Sequence, residues 1–383
     1  MDERVILMQR VAEKIQAFAR VREQFPVLIG FDGFVDSIIA VVDKREDAEQ
    51  YVPIATIARF GEKVLEAAGQ SSNYELVLER EKLGGNGPIM ANAMAAFGLP
   101  VQYIGALGKP HLHPVFEEFA SRAECISIAN PGLTDALEFE DGKLMLGKLQ
   151  SLKEVNWQTL CDTVGEAAFR KMVERSRLIG MVNWTMLLNV DEIWRRLAEE
   201  ILPSLPTLDQ TRRCIFVDLA DPEKRTIDDL LAALKLLAVV QGSADVVLGL
   251  NLKEAEQVAT ALGVDQTSDT DAAVESIARG IREALQVHGV VIHPRTSAAL
   301  CWLEEGKAVS AYQAGPKVEE PKILTGGGDH FNAGFCLGWL AGLSANEVLC
   351  AGTATSGYYV ANAASPTLDE LVRFISSVPE PAE

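Results

Sequence analysis

Residues 214–262 read CIFVDLADPEKRTIDDLLAALKLLAVVQGSADVVLGLNLKEAEQVATAL. Two short apolar runs, Cys214–Asp218 and Asp245–Leu248, bracket a segment of helical spacing, 226–240, and a second helical segment, 252–262, follows at once. Apolar strands without polar alternation are buried on both faces, and strands that alternate with helices build a parallel sheet. The rhythm continues outward. Leu178–Val182 and Val290–His293 read as further strands, with helices at 160–175, 190–201 and 271–286. Upstream, Pro26–Gly30 and Val101–Ala106 are buried strands among helices at 3–20, 56–68 and 88–97. Downstream, a hairpin turning at Glu305-Gly306 leads to helices 328–341, 345–361 and 367–376. The expected fold class is α/β, a doubly wound Rossmann-like sheet flanked by helices.

Three segments break the rhythm. Residues 35–55, 72–82 and 134–149 alternate like half-exposed strands, the last as a hairpin around Asp141-Gly142. Strands that leave a parallel sheet are expected to form a small β-lid over its C-terminal edge, where open α/β sheets bind ligands. The expected division is an α/β core of 1–34, 56–71, 83–133 and 150–383, with the nucleotide and catalytic site, and a lid of 35–55, 72–82 and 134–149.

The chain has 383 residues and a formal net charge of −19, with no Lys/Arg cluster. Such a surface repels nucleic acid and anionic membrane, so neither is expected as a partner. An anionic small molecule stays open, because glycine-rich loops bind phosphate through backbone N–H groups. Six cysteines without a CxxC pattern read as buried, reduced thiols. His111 and His113 form a loop pair with no Cys or third His nearby. The N-terminus is charged and amphipathic, and the longest apolar stretch contains Lys235, so a soluble cytoplasmic protein is expected.

Four local signals carry chemistry. In Leu324-Thr325-Gly326-Gly327-Gly328-Asp329, three glycines end a loop and a helix begins with an acid in its first turn. A helix N-terminus aims free N–H groups at an anion, and an acid held there can take a proton from an attacking hydroxyl. The alternative is an acidic N-cap after a glycine turn. In Gly84-Gly85-Asn86-Gly-Pro88 a second glycine turn opens a helix, with Asn86 able to bond a polyol; simple helix–strand packing is the alternative. Asp32 and Asp36 follow a buried strand and can accept from sugar hydroxyls, or form a polar turn. Asn251 and Glu254 open a helix, either as a capping box or as organisers of Mg²⁺ and its waters.

In order and spacing, from about Gly30 to Asn362, these segments resemble the ribokinase-like (PfkB-type) carbohydrate kinase superfamily. The resemblance implies that Asp329 is the catalytic base and that Gly326, Gly327 and Gly328 form the anion hole. Asn251 and Glu254 match a magnesium motif. Asp32, Asp36, Gly84, Gly85, Asn86 and Asn183 are expected at the acceptor. Asn251, His293, Arg295, Thr325, Asn332 and Asn362 are expected at the nucleotide. Three positions depart from the common pattern: Ile89 and Pro110 stand where an Asn and an Asp are usual, and His293-Pro-Arg295-Thr replaces a G-x-x-G. Gly30 to Asp36, Gly84 to Asn92 and His293 instead resemble the ADP-dependent sugar kinase branch.

The expected function is phosphoryl transfer from a nucleotide to a sugar or polyol hydroxyl, assisted by Mg²⁺. ATP is the expected donor, as in most of the superfamily, with ADP as the alternative. A catalytically weak sugar- or nucleotide-binding protein on the same fold is the second reading. A dehydrogenase is excluded by the lack of G-x-G-x-x-G after the first strand. An exposed lid edge makes a homodimer through the lid an expected assembly.

Overall fold

A computed structural model describes residues 2–206, 208, 212–265 and 271–382; the parts of the expected core at 1, 207, 209–211, 266–270 and 383 lie outside these. Among the described residues a nine-stranded sheet has the order β14-β13-β12-β11-β10-β9-β1-β5-β6. Its central strands are β1 (Val27–Phe31), β9 (Leu178–Val182), β10 (Cys214–Asp218) and β11 (Asp245–Leu250). β5 (Val101–Gly105) and β6 (Glu124–Ser127) form one edge, and β12 (Gly289–Ile292), β13 (Ser297–Glu304) and β14 (Lys307–Ala314) the other. Neighbouring strands pair parallel except β12 with β13 and β13 with β14, so β13 alone runs against the others.

The apolar strand runs follow from burial on both faces. Leu28, Ile179, Ile215 and Leu248 enter one core cluster, while Ile29, Leu178, Phe216 and Val247 enter the other. Helices cover each face, so the central strands β1, β9, β10 and β11 have no exposed position and no alternation survives in their sequence. β6 escaped the sequence reading because it is a short, only partly buried edge strand.

The remaining strands form a second sheet, in the order β3-β2-β7-β8 with β4 also paired to β2. They are β2 (Phe34–Arg45), β3 (Tyr51–Pro53), β4 (Leu76–Gly84), β7 (Gly132–Phe139) and β8 (Gly142–Lys148). Only Asp32 and Gly33 separate β1 from β2. Gly33 lies so close to β5's end that a Cβ there would sit 2.0 Å from the Ala106 carbonyl oxygen, and its own carbonyl accepts from Gly132 N–H at 2.8 Å.

Two boundaries differ from expectation. The helix Ile57–Glu66, expected in the core range 56–71, packs on the small sheet. Its Phe60 ring meets Tyr74 and Phe139 at 5.4 and 5.6 Å, beside Ile39, Val41, Ile54 and Leu137. β4 continues through Leu83 and Gly84, past the expected lid boundary at 82, because its pairing with β2 runs to Phe34. The single helix expected at 160–175 is two, broken at Gly165 with φ 83°.

Candidate active site

The expected catalytic and sugar-side residues meet at the C-terminal edge of the large sheet, where β1, β9 and β10 end. The helix Gly327–Leu340 begins there, with Gly326 as its N-cap in the left-handed region at φ 93°. Glycine is required, since a Cβ on Gly326 would also sit 3.0 Å from the Tyr359 hydroxyl. The three glycines expected to form the anion hole are not equivalent. The Gly327 N–H closes a turn on the Leu324 carbonyl at 3.2 Å. No main-chain acceptor among the described residues takes the Gly328 and Asp329 N–H groups. Those two are the open donors of the helix's first turn.

Asp329 is buried and does not cap its own helix. Its carboxylate accepts from Asn86 Nδ2 at 2.9 Å. Asn86 starts the second glycine-turn helix, Asn86–Ala96, so both helix N-termini meet through one hydrogen bond. The network then closes on itself. Gly87 N–H and Asn183 Nδ2 donate to Asp32 at 2.9 and 2.7 Å. Asn183 N–H donates to the Asp218 carbonyl at 2.9 Å. Asn332, one turn beyond Asp329, donates Nδ2 to Asp218 Oδ2 at 2.7 Å, and Ala220 N–H donates to Oδ1 at 2.9 Å.

Asp32, expected at the acceptor, lies inside this network. It is 0% exposed, and the Tyr103 hydroxyl adds a bond to its carbonyl at 2.7 Å, so it braces the cleft from inside. Asp36 sits on β2, where a Cβ on Gly84 would lie 2.6 Å from both of its oxygens. Gly84 thus leaves room for that carboxylate, and Gly85 (φ 94°) leaves room for Asp32. Lys82 and Thr134 flank Asp36.

The electrostatics are unbalanced. Burial pushes Asp32 up to about 6. Burial raises Asp218, and the nearby Glu254 raises it further. Asp329 is raised well above the carboxylate range by burial and then by Asp218, against the lowering bond from Asn86. Glu254 is raised by burial. Buried acids that raise one another favour a cation or protons between them. Asn332 Oδ1 and Thr185 Oγ1 are buried without a partner; Thr185 N–H bonds the Leu219 carbonyl, beside Asp218. Such orphans fit ligand or water contacts.

Asn251 and Glu254 form a full capping box, with Asn251 Oδ1 accepting from Glu254 N–H at 3.0 Å and Glu254 Oε2 from Asn251 N–H at 2.9 Å. Glu254 Oε1 also accepts from Asp221 N–H at 2.9 Å. Each carboxylate oxygen keeps a lone pair, which suits contact with metal-bound water. Among the described residues no group of three or more His, Cys, Asp and Glu could hold a metal ion. Mg²⁺ does not need such a cage, since it uses one or two carboxylates, waters and substrate phosphates.

A cavity of about 740 Å³ adjoins the glycine loop. Asn251, His293, Arg295, Gly327, Gly328 and Ser356 line it, among others. His293 packs on Phe331 at 4.8 Å; burial lowers it to about 4, and its Nε2 has no partner. Thr325 lies on the loop, its carbonyl accepting from Tyr359 OH at 3.1 Å. Asn332 faces Asp218 and not this cavity. Asn362 is also separate: it is exposed, and its amide donates to the Tyr358 carbonyl of its own helix. The cavity's far wall includes Ala382, held by Ala382 N–H to the Gly315 carbonyl at 2.8 Å.

Sequence reasoning passed over Asp218, although a carboxylate ending a buried parallel strand was the available signal. Tyr103 and Thr185 carried no local signal.

The sequence model of the family described as prokaryotic ketohexokinase matches residues 8–378. A ketohexokinase of Haloferax volcanii is 30% identical over 361 residues, covering 91% of this chain and 90% of that one. Among solved structures, Arabidopsis thaliana ribokinase complexed with ribose and ATP superposes with a TM-score of 0.61 at 14% identity, over 92% of this chain and 98% of that one. Cryptococcus neoformans ribokinase in complex with ADP gives 0.59 at 16% identity, over 92% and 99%. These structural likenesses extend to the fold.

Proposed function

From the premise that the chain belongs to the prokaryotic ketohexokinase family and is a carbohydrate kinase of ribokinase-like fold, we propose that it phosphorylates a hydroxyl of a ketohexose, with ATP as donor. The single observation that carries the catalytic reading is Asp329, a buried acid beside two open N–H donors and tied to Asn86. Asp329 takes the proton from the acceptor hydroxyl as that oxygen attacks phosphorus. The Gly328 and Asp329 N–H groups stabilise charge on the transferring phosphoryl oxygens. Asn86 and Asp36 hold the acceptor. Asn86 already donates to the base, so it orients Asp329 as well as the sugar. The 740 Å³ cavity receives the nucleotide, with Arg295 at its mouth and His293 against the glycine loop.

Mg²⁺ would be held through water near Glu254 and Asp218, where it supplies neutralisation of donor phosphate charge. Asp218, raised by burial and then by Glu254, and Glu254, raised by burial, suit that charge. The small sheet serves as a lid that excludes water from the transferring group. It leaves Leu76, Leu78, Leu133 and Met145 exposed, and pairing with the lid of a second copy would cover them. Free cysteines, and no helix among the described residues long and apolar enough to cross a membrane, accord with a cytoplasmic enzyme.

The test is a coupled assay over fructose, tagatose, sorbose, glucose and ribose with ATP or ADP. Phosphorylation of ketohexoses over aldoses is expected. Preference for an aldose would overturn the acceptor, and turnover with ADP alone would overturn the donor.

A further inference from the structure

Behind the glycine loop lies a group that the proposed chemistry does not use. His330, the residue after Asp329, is 2% exposed. Its Nδ1 lies 2.7 Å from the Gly326 carbonyl oxygen, and its Nε2 lies 2.8 Å from Ser365 Oγ. Its ring stacks on Tyr359, with centroids 3.5 Å apart and planes 13° apart. A carbonyl oxygen only accepts, so Nδ1 carries the proton. Nε2 then holds a lone pair, and the Ser365 hydroxyl donates to it. This chain of bonds leaves one neutral tautomer. Burial keeps the ring neutral by lowering it to about 4.

The Gly326 carbonyl accepts twice, from the His330 side chain and from the His330 N–H at 3.1 Å. The preceding carbonyl, of Thr325, is held by Tyr359 OH. None of His330, Tyr359 and Ser365 lines the nucleotide cavity. Two consecutive carbonyls are thus drawn away from the cavity, while the next two N–H groups without a main-chain acceptor belong to Gly328 and Asp329. A carbonyl oxygen turned toward a phosphate repels it, and a loop of glycines has little intrinsic preference between the two orientations.

We infer that His330 is a positioning residue, which with Ser365 and Tyr359 holds the carbonyls of the glycine loop back so that its N–H groups face the transferring phosphoryl group. This deepens the kinase reading and rests on it. The role needs a donor at the Nδ1 position only. Asn at 330 reaches that position, whereas Gln reaches the Nε2 position.

The first measurement is ¹⁵N NMR of histidine-labelled, unmodified protein at neutral pH. A protonated Nδ1 and an unprotonated Nε2 are expected at His330; the opposite tautomer or an imidazolium overturns the inference. The second is kinetics of His330→Ala, His330→Asn and His330→Gln. His330→Ala should lose roughly ten- to a hundredfold in kcat, with sugar KM nearly unchanged, as a displaced reacting group does. His330→Asn should recover most of that loss and His330→Gln little. An alanine variant as fast as the parent, or Gln outperforming Asn, overturns the inference. If His330→Ala does not fold, the Asn–Gln order and the tautomer still decide. If the parent phosphorylates none of the sugars, the kinase reading fails instead; binding of an ATP analogue to the same variants, in the same Asn-over-Gln order, then judges His330 separately.

Discussion

The helices Gly327–Leu340 and Leu252–Leu262 both begin at the C-terminal edge of the large sheet, and they begin in opposite ways. The second is closed. Asn251 and Glu254 satisfy each other's backbone donors, and the acid faces back to its own helix. The first is open. Glycine at its N-cap offers no side chain, its acid turns instead to Asn86, and two N–H groups are left over. A closed N-terminus spends its partial charge on its own side chains, whereas an open one keeps it for a ligand. The acid residue alone does not tell the two apart; the residue before the helix does.

The largest effect expected is at the open end. Asp329→Asn keeps the hydrogen bond to position 86 within reach of an amide but cannot take a proton. It should lower kcat by about 10²–10⁴-fold with the melting temperature maintained, as rapid-quench kinetics and calorimetry would show. Near-parental turnover would dissolve the distinction.

At the closed end, Glu254→Gln should raise the Mg²⁺ concentration for half-maximal rate by roughly ten- to a hundredfold, with sugar KM unmoved. A uniform loss at every Mg²⁺ concentration would make this end a cap and nothing more. Gly328→Ala asks whether the open end tolerates a methyl group. The added Cβ would stand 3.2 Å from His293 Cε1, so the imidazole must give way. A fall of roughly tenfold in kcat/KM for the nucleotide is expected from such a shift.

Asp218 lies between the two ends, and its charge works against folding. A carboxylate raised in the folded state costs nothing below the ordinary carboxylate range, and its cost grows as pH rises toward the folded value. Asp218→Asn removes the charge, and a flipped Asn332 would offer its unpartnered Oδ1 to the new amide. The variant should gain on the order of 1 kcal/mol at pH 8 without Mg²⁺, little at pH 4, and lose activity. Melting curves at both pH values check the sign. The smallest effect is expected at Asn362, whose exposed amide serves only its own helix. Asn362→Ala should change stability by less than about 0.5 kcal/mol and leave nucleotide KM in place.

The sequence was most legible where burial is uniform. Strands such as Cys214–Asp218 are apolar up to their last residue because both faces are covered, and that run marks them as strands before their partners are known. It was less legible where one face is shared. The helix at 57–66 has an amphipathic pattern that cannot say which sheet receives it. At the site, the glycine loop, Asp329, Asn86 and Glu254 announce themselves through turn and cap chemistry. Asp218 does not, because its meaning comes from Glu254 and Asn332, which lie 36 and 114 positions along the chain. For Asp32, local spacing cannot show the bonds it accepts from Gly87, Tyr103 and Asn183.

The two-residue step from β1 to β2 also has a mechanical side. β2 is a beam of 12 residues, so about 40 Å long at ~3.3 Å per residue. It is mounted on Gly33, pressed against Ala106 and pinned to Gly132, with no slack on either side. A beam fixed at one end converts angle into travel, so a turn of about 10° at that fulcrum swings its tip by roughly 7 Å over the length just given. The closure proposed above therefore needs little change in backbone torsion, and the leverage depends on the length of β2. Lengthening the tip near Tyr51–Pro53 would alter the sweep of the cover without moving any group that meets the reactants.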